Sequence, residues 1–135
     1  MDASPVERDE VEVMFLCIRD LVEEMGPAWQ RLEDLVGTRG RKFFGAFYPT
    51  TGEYRVCVQM EDGDDPESLG LETGSLPGGR YLRARLRGEP PALYDRIKPT
   101  FEALANSADS DETRPSIEFY RRFEELDLLL PLADE

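Results

Sequence analysis

The chain has 135 residues, 40% of them hydrophobic and 33% charged, which are values typical of one globular domain with a single hydrophobic core. Its formal net charge of −13 argues against nucleic acid and anionic membranes as direct partners, because both require a basic surface. The chain contains no histidine, which excludes Ser-His and Cys-His catalysis and most zinc sites.

The first residues and the two cysteines indicate a compartment. Cys17 and Cys57 each lie in an apolar, strand-like run, and we expect buried free thiols rather than a disulfide. No run approaches the ~18 apolar residues of a membrane span. Residues 1–10 are acidic and lack the regions of a signal peptide, so we expect a loose lead-in and a cytoplasmic protein.

The first half of the chain predicts a strand, a helix and a hairpin. Residues 11–18 form an almost wholly apolar strand. The Gly26-Pro27 pair suits a helix start, and apolar residues then recur at helical spacing to about Val36. Residues 42–48 and 54–60 are strands joined by a Pro-Thr-Thr-Gly turn, and the glycine inside the first of them indicates a bulge or a close backbone approach.

Residues 61–79 are rich in acids, glycine and proline, and we interpret them as a solvated linker. The aspartates at 62, 64 and 65 lack the alternating pattern and the distal glutamate of a calcium loop, so we expect no metal ion here. The sequence predicts no cofactor either.

The second half of the chain repeats the order of the first. Residues 80–87 form a strand whose outer face is a row of arginines, which we interpret as a solvated face paired with nearby acids rather than an anion site. A helix opens at Pro90-Pro91, and Pro99 inside it predicts a kink or a division. Residues 114–120 and 126–130 are the last two strands.

The predicted fold class is therefore α+β, a tandem β-α-β-β repeat with antiparallel sheets and two main helices. Repeat one covers residues 11–60 and repeat two covers residues 80–132. Two such halves would be related by a pseudo-two-fold axis, with a ligand groove between them. Aligning the aromatic pairs at 47–48 and 119–120 predicts that Tyr48 lies opposite Tyr120 and Phe44 opposite Ser116.

Glu118 is the residue around which the functional prediction is built. Alternation along its strand puts Ser116, Glu118 and Tyr120 on one face and Ile117 and Phe119 on the other. A carboxylate among aromatics is either on an open sheet face or in a pocket. In a pocket, burial would raise its pKa, and an incoming cation would supply the missing counter-charge.

Four segments carry a resemblance to a known family: residues 42–48, 54–58, 76–81, and 114–120 followed by 128–132. In this order the chain resembles the GyrI-like small-molecule-binding family over residues 11–132. That family includes the effector-binding domains of bacterial multidrug-responsive transcription regulators and a stand-alone DNA gyrase inhibitor. The resemblance predicts one such domain over residues 11–135. The chain contains no helix-turn-helix pattern, so we expect no direct contact with DNA.

The resemblance implies an aromatic-lined pocket between the repeats and an acidic residue in the second repeat that meets cationic ligands, at the position of Glu118. The residues predicted to bind a ligand are Glu118, Tyr48, Tyr120, Trp29, Phe44 and Tyr81. Some stand-alone relatives are hydrolases that open reactive cyclopropane-bearing compounds with a pocket carboxylate.

Three functions are therefore open. The favoured one is a non-catalytic binder of amphipathic, aromatic, cationic small molecules, for sequestration or for sensing on behalf of a partner protein. The second is a metal-independent hydrolase in which Glu118 is a general acid or base on a reactive substrate. The third is a modulator of DNA gyrase whose acidic surface mimics the charge of DNA. The sequence leaves the oligomeric state open.

Overall fold

The structure, a computed structural model, describes residues 3–122 and 124–133. Eight strands pair in the order β1-β6-β8-β7-β3-β4-β2-β5, and every pairing is antiparallel. The predicted α+β class is confirmed. The strands are β1 Ala3–Arg8, β2 Val11–Arg19, β3 Phe43–Tyr48, β4 Glu53–Gln59, β5 Glu72–Leu76, β6 Gly79–Arg87, β7 Ser116–Arg122 and β8 Glu125–Pro131.

The helices lie at equivalent places in the two halves of the chain. Helix α1, Val22–Val36, connects β2 to β3, and α3, Ile97–Ser107, connects β6 to β7. A short 3-10 turn, Tyr94–Arg96, precedes α3, and a four-residue helix α2, Pro66–Leu69, precedes β5. Each half of the chain contributes three of the six central strands in the order strand-helix-strand-strand, β2-α1-β3-β4 and β6-α3-β7-β8. The two halves pair with each other through β3 and β7. No helix of the described residues is long and apolar enough to cross a membrane.

Two segments expected to be loose contribute the outer strands. Residues 3–8, in the predicted lead-in, form β1 and pair with β6, and residues 72–76, in the predicted linker, form β5 and pair with β2. Pro5 is compatible with β1 because that strand is at the edge of the sheet, where a missing N–H costs no ladder bond. The expectation that these two segments are loose is therefore wrong.

The sheet is strongly curved. Strands β1 and β2 are separated by five others in the sheet, yet only two residues, Asp9 and Glu10, connect them. In a flat sheet the two strands would be about 29 Å apart, six spacings of about 4.8 Å. Three residue steps reach about 11 Å at most. The sheet therefore curls until its first and seventh strands approach each other.

Curvature divides the hydrophobic core between the two faces of the sheet. The helix-free face curls around one cluster of buried side chains drawn from seven strands, including Phe15, Phe44, Tyr81, Ile117 and Leu129. The opposite face has two clusters, one under α1 and one under α3. The middle of the sheet, at the β3–β7 pair, lies between those two helices.

Both main helices begin at residues other than those predicted. Helix α1 begins at Val22, so Pro27 lies inside it rather than at its first position. Helix α3 begins at Ile97, which puts Pro99 in the first turn, where its missing N–H would have no helical partner anyway.

The two cysteines differ in their surroundings. Cys57 is buried as expected, but Cys17 is exposed, which corrects that prediction. Cys17 lies in β2 beyond the segment of that strand that carries the core residues. Desolvation and the neighbouring Glu53 raise the pKa of the Cys17 thiol to about 11, so it is not a reactive thiolate near neutral pH.

Candidate functional site

Glu118 of β7 accepts two short hydrogen bonds on one carboxylate oxygen. The hydroxyl of Tyr54 in β4 donates to Oε1 at 2.7 Å, and the hydroxyl of Tyr120 donates to the same atom at 2.6 Å. Tyr120 is two residues along β7 and therefore on the same face of the sheet. Among the described residues, Oε2 has no hydrogen-bond partner and Glu118 has no ion-pair partner.

Gly45 makes this arrangement possible. Strand β3 runs between β4 and β7, and Gly45 pairs directly with Glu118. With no side chain at position 45, the ring of Tyr54 crosses β3 and reaches the carboxylate. A Cβ there would lie 2.1 Å from the Tyr54 hydroxyl and 2.6 Å from Glu118 Oε1, far inside van der Waals contact. The glycine noted in the sequence is thus a site of close approach.

Burial controls the protonation of this group. Desolvation raises the pKa of Glu118 above its usual range, the hydrogen bonds from Tyr120 and Tyr54 oppose that rise, and the nearby Asp20 carboxylate adds to it. The pKa values of Tyr54 and Tyr120 are raised well above the ordinary value, chiefly by burial and then by the charge of Glu118. Both phenols therefore remain protonated donors.

Aromatic rings from both halves of the chain close over Tyr120. Trp29 of α1 meets Tyr120 edge to face, with ring centroids 5.1 Å apart, and also contacts Phe43 of β3 at 6.3 Å. Tyr94, from the turn before α3, meets Tyr120 at 6.3 Å. Because Tyr94 is 44% exposed, its ring lies on the solvent side of the site.

The structure brings three of the predicted ligand-binding residues together, namely Glu118, Tyr120 and Trp29. It adds two that sequence reasoning missed, Tyr54 and Tyr94. The sequence predicts only a hairpin strand for Tyr54, because its approach to Glu118 depends on strand pairing between the two halves. Tyr94 lies in the segment after Pro90-Pro91 that the sequence predicts as part of the second helix.

The other three predicted residues lie on the opposite face of the sheet. The prediction that Tyr48 lies opposite Tyr120 and Phe44 opposite Ser116 is wrong, because Phe43 pairs with Tyr120 and Phe47 with Ser116. Gly45 pairs with Glu118, so the odd-numbered residues of β3 share the face of Glu118, and Phe44 and Tyr48 lie on the other face. Phe44 stacks on Phe119, with centroids 4.8 Å apart.

The side chains of Tyr48 and Tyr81 make their contacts on the helix-free face of the sheet. The guanidinium of Arg55 lies over the ring of Tyr48, 4.4 Å from its centroid. Tyr81 is fully buried, and its hydroxyl donates to the carbonyl oxygen of Pro77 at 2.6 Å. The structure therefore places both tyrosines apart from Glu118.

The fold is shared with proteins of known structure, although no protein-family model and no curated protein sequence matches the chain. A structure described as SAV2435 bound to tetraphenylphosphonium is 12% identical over 98% of this chain and 94% of that one, with a TM-score of 0.70. An integron cassette protein from Vibrio cholerae is 14% identical over 97% and 95%, with a TM-score of 0.76.

A hydrolase from Listeria innocua is a third structure with this fold. It is 11% identical over 97% of this chain and 91% of that one, with a TM-score of 0.57. At identities of 11–14%, the similarity to these three structures shows that the chain shares their α+β fold.

Proposed function

We propose that this chain is a member of the GyrI-like small-molecule-binding family and that it binds amphipathic aromatic cations at Glu118. One observation carries the proposal: a half-buried carboxylate has one oxygen held by two tyrosines, while its other oxygen has no partner among the described residues. Such a group lacks a counter-charge, and a bound cation would supply it.

The surroundings of Glu118 favour a cation that carries aromatic or apolar groups. The rings of Trp29, Tyr94 and Tyr120 offer both apolar contact area and cation–π attraction of about 1–2 kcal/mol in a desolvated site. Asp20 adds negative charge close to Glu118, and the net charge of −13 favours the approach of cations.

Entry to the site requires a small rearrangement. The rings of Trp29 and Tyr94 pack against Tyr120, so a ligand would reach Glu118 by parting them between α1 and the turn at residues 94–96. Tetraphenylphosphonium, the ligand in the SAV2435 structure, is a cation surrounded by four phenyl rings and has the chemistry expected here.

Fluorescence of the single tryptophan, Trp29, reports binding directly, because that ring contacts Tyr120. We expect saturable quenching by tetraphenylphosphonium and binding weaker by about tenfold or more (~1.4 kcal/mol) for triphenylphosphine oxide, a neutral compound of similar shape. Equal affinity for the two compounds, or no saturable response to either, would count against the proposal.

The pH dependence of binding tests whether the carboxylate form is the one that binds. We expect tetraphenylphosphonium affinity to fall as pH is lowered through the raised pKa of Glu118, and so at higher pH than for a solvated glutamate of pKa about 4.3. Replacing Tyr120 by phenylalanine removes a hydrogen bond that lowers this pKa, so the midpoint should shift upward. A midpoint identical in the two proteins would contradict this assignment.

Hydrolysis of a reactive substrate is the second candidate function. The raised pKa of Glu118 suits a general acid, and one hydrolase-named structure shares the fold. Incubation with strained electrophiles, followed by product analysis for the wild type and Glu118→Gln, would separate turnover from binding.

A gyrase modulator should not require Glu118, so an effect on gyrase that persists in the Glu118→Gln variant would favour that third function.

A further inference from the structure

Four arginines converge on a single carboxylate at the far end of β6, β7 and β8. The side chain of Glu125 lies 3.2 Å from Arg85, 3.5 Å from Arg87, 3.2 Å from Arg121 and 3.8 Å from Arg122. Glu125 is buried, so its negative charge lies beneath the guanidinium groups.

Only two of the four arginines are needed to neutralise the buried acids. Asp127, the second buried acid, accepts two hydrogen bonds from Arg85 at 2.7 and 3.2 Å, and Arg121 donates one to Glu125 at 3.2 Å. Arg85 and Arg121 thus compensate both carboxylates, as buried charges require.

Arg87 and Arg122 are in excess of that requirement. Their side chains are 74% and 77% exposed, and their nitrogen–oxygen distances to Glu125 are too long for good hydrogen bonds. Four positive charges therefore face two buried negative ones, and this excess is unusual in a protein whose net charge is −13. The sequence interpretation of a solvated arginine row paired with nearby acids holds for Arg85 and Arg87, since both form ion pairs with Glu125.

The two excess arginines flank a concavity of about 450 Å³ at the surface. In the described part of the chain its other lining residues are Gly88, Glu124 and Glu125, and Glu124 contributes one negative charge. Arg96 adds a further guanidinium nearby: its Nη1 donates to the carbonyl oxygen of Arg87 at 2.8 Å and lies 3.7 Å from where a Cβ on Gly88 would be.

We propose that this concavity is a second binding site, for a phosphate or carboxylate oxyanion, separate from the cation site at Glu118. Arginine forks bind such groups through paired N–H donors, and an oxyanion between Arg87 and Arg122 would relieve the repulsion among the four guanidinium groups. The site explains why two arginines beyond those needed to neutralise the buried acids line the same concavity.

NMR titration of the full chain with inorganic phosphate and, separately, with glutarate tests the proposal at constant ionic strength. We expect saturable shifts of the Gly88 amide, with affinity weaker by about tenfold or more (~1.4 kcal/mol) in the Arg87→Gln/Arg122→Gln variant. The ligand with the higher affinity identifies the oxyanion as a phosphate or a carboxylate.

A matched control removes two positive charges elsewhere. Arg31 in α1 and Lys98 in α3 are exposed, so the Arg31→Gln/Lys98→Gln variant has the same net charge and should bind like the wild type. No saturable binding of either anion by the wild type, or equal weakening in both double variants, would overturn the proposal. The wild-type titration decides this even if a variant folds poorly.

Discussion

Replacing Gly45 by alanine is expected to lower the free energy of unfolding by about 3 kcal/mol, the upper end of the usual cost of overpacking a core. The new methyl group would lie 2.1 Å from the Tyr54 hydroxyl and 2.9 Å from Cζ of that ring. Tyr54 is buried and cannot swing aside without displacing the side chains under α1. Denaturant unfolding of the variant measures the effect.

A glycine elsewhere supplies the control. Gly26 is inside α1, and a Cβ there would have no heavy atom within 4 Å. Alanine at that position should raise stability by about 0.5–1 kcal/mol, because glycine in a helix interior is disfavoured. If alanine at position 45 were as harmless as at position 26, the close approach of Tyr54 to Glu118 across Gly45 would be wrong.

Replacing Glu118 by glutamine is expected to weaken tetraphenylphosphonium binding by about tenfold or more (~1.4 kcal/mol) at pH 7.5. The amide oxygen of glutamine can still accept hydrogen bonds from Tyr54 and Tyr120, so the site keeps its shape and loses its charge. Glu67→Gln, an exposed acid in α2, is the matched control for net charge and should bind normally. Comparable weakening in both variants would show that only long-range charge matters.

The same variant should be more stable than the wild type, which separates lost binding from lost folding. The pKa of Glu118 is higher in the folded protein than in a solvated chain, so stability is fully present at low pH and falls as pH rises through that pKa. Glutamine removes this loss. A Glu118→Gln protein that is less stable than the wild type at pH 7.5 would contradict the view that the carboxylate is uncompensated.

The alternation of residues in the sequence predicts which side chains of β7 share a face, but not which residues of the neighbouring strand lie beside them. Alternation correctly put Tyr120 on the face of Glu118, because the period of a strand is two residues. The face of the sheet on which Phe44 and Tyr48 lie depends on the register between β3 and β7. These two strands are far apart in the sequence, so local pattern does not determine that register. Aligning the two halves matches residues at equivalent positions in the repeat, whereas cross-strand partners are set by the hydrogen-bonded register of β3 and β7.

The outer strands were missed for a different reason. Residues 72–76 are mostly exposed and residues 3–8 include a proline, so neither segment shows the alternation of a half-buried strand. They are strands because β2 and β6 offer free edges to them, and that information is not local. Tyr54 and Tyr94 were missed as site residues for the same reason.

The position of a bound cation tests most directly whether Glu118 is the cation site. Tetraphenylarsonium has the shape and charge of tetraphenylphosphonium, and its arsenic atom can be located in a crystal by anomalous scattering. We expect an arsenic peak beside Glu118 Oε2, between Trp29 of α1 and Tyr94. A peak elsewhere on the surface, with Trp29 and Tyr94 still packed on Tyr120, would contradict it.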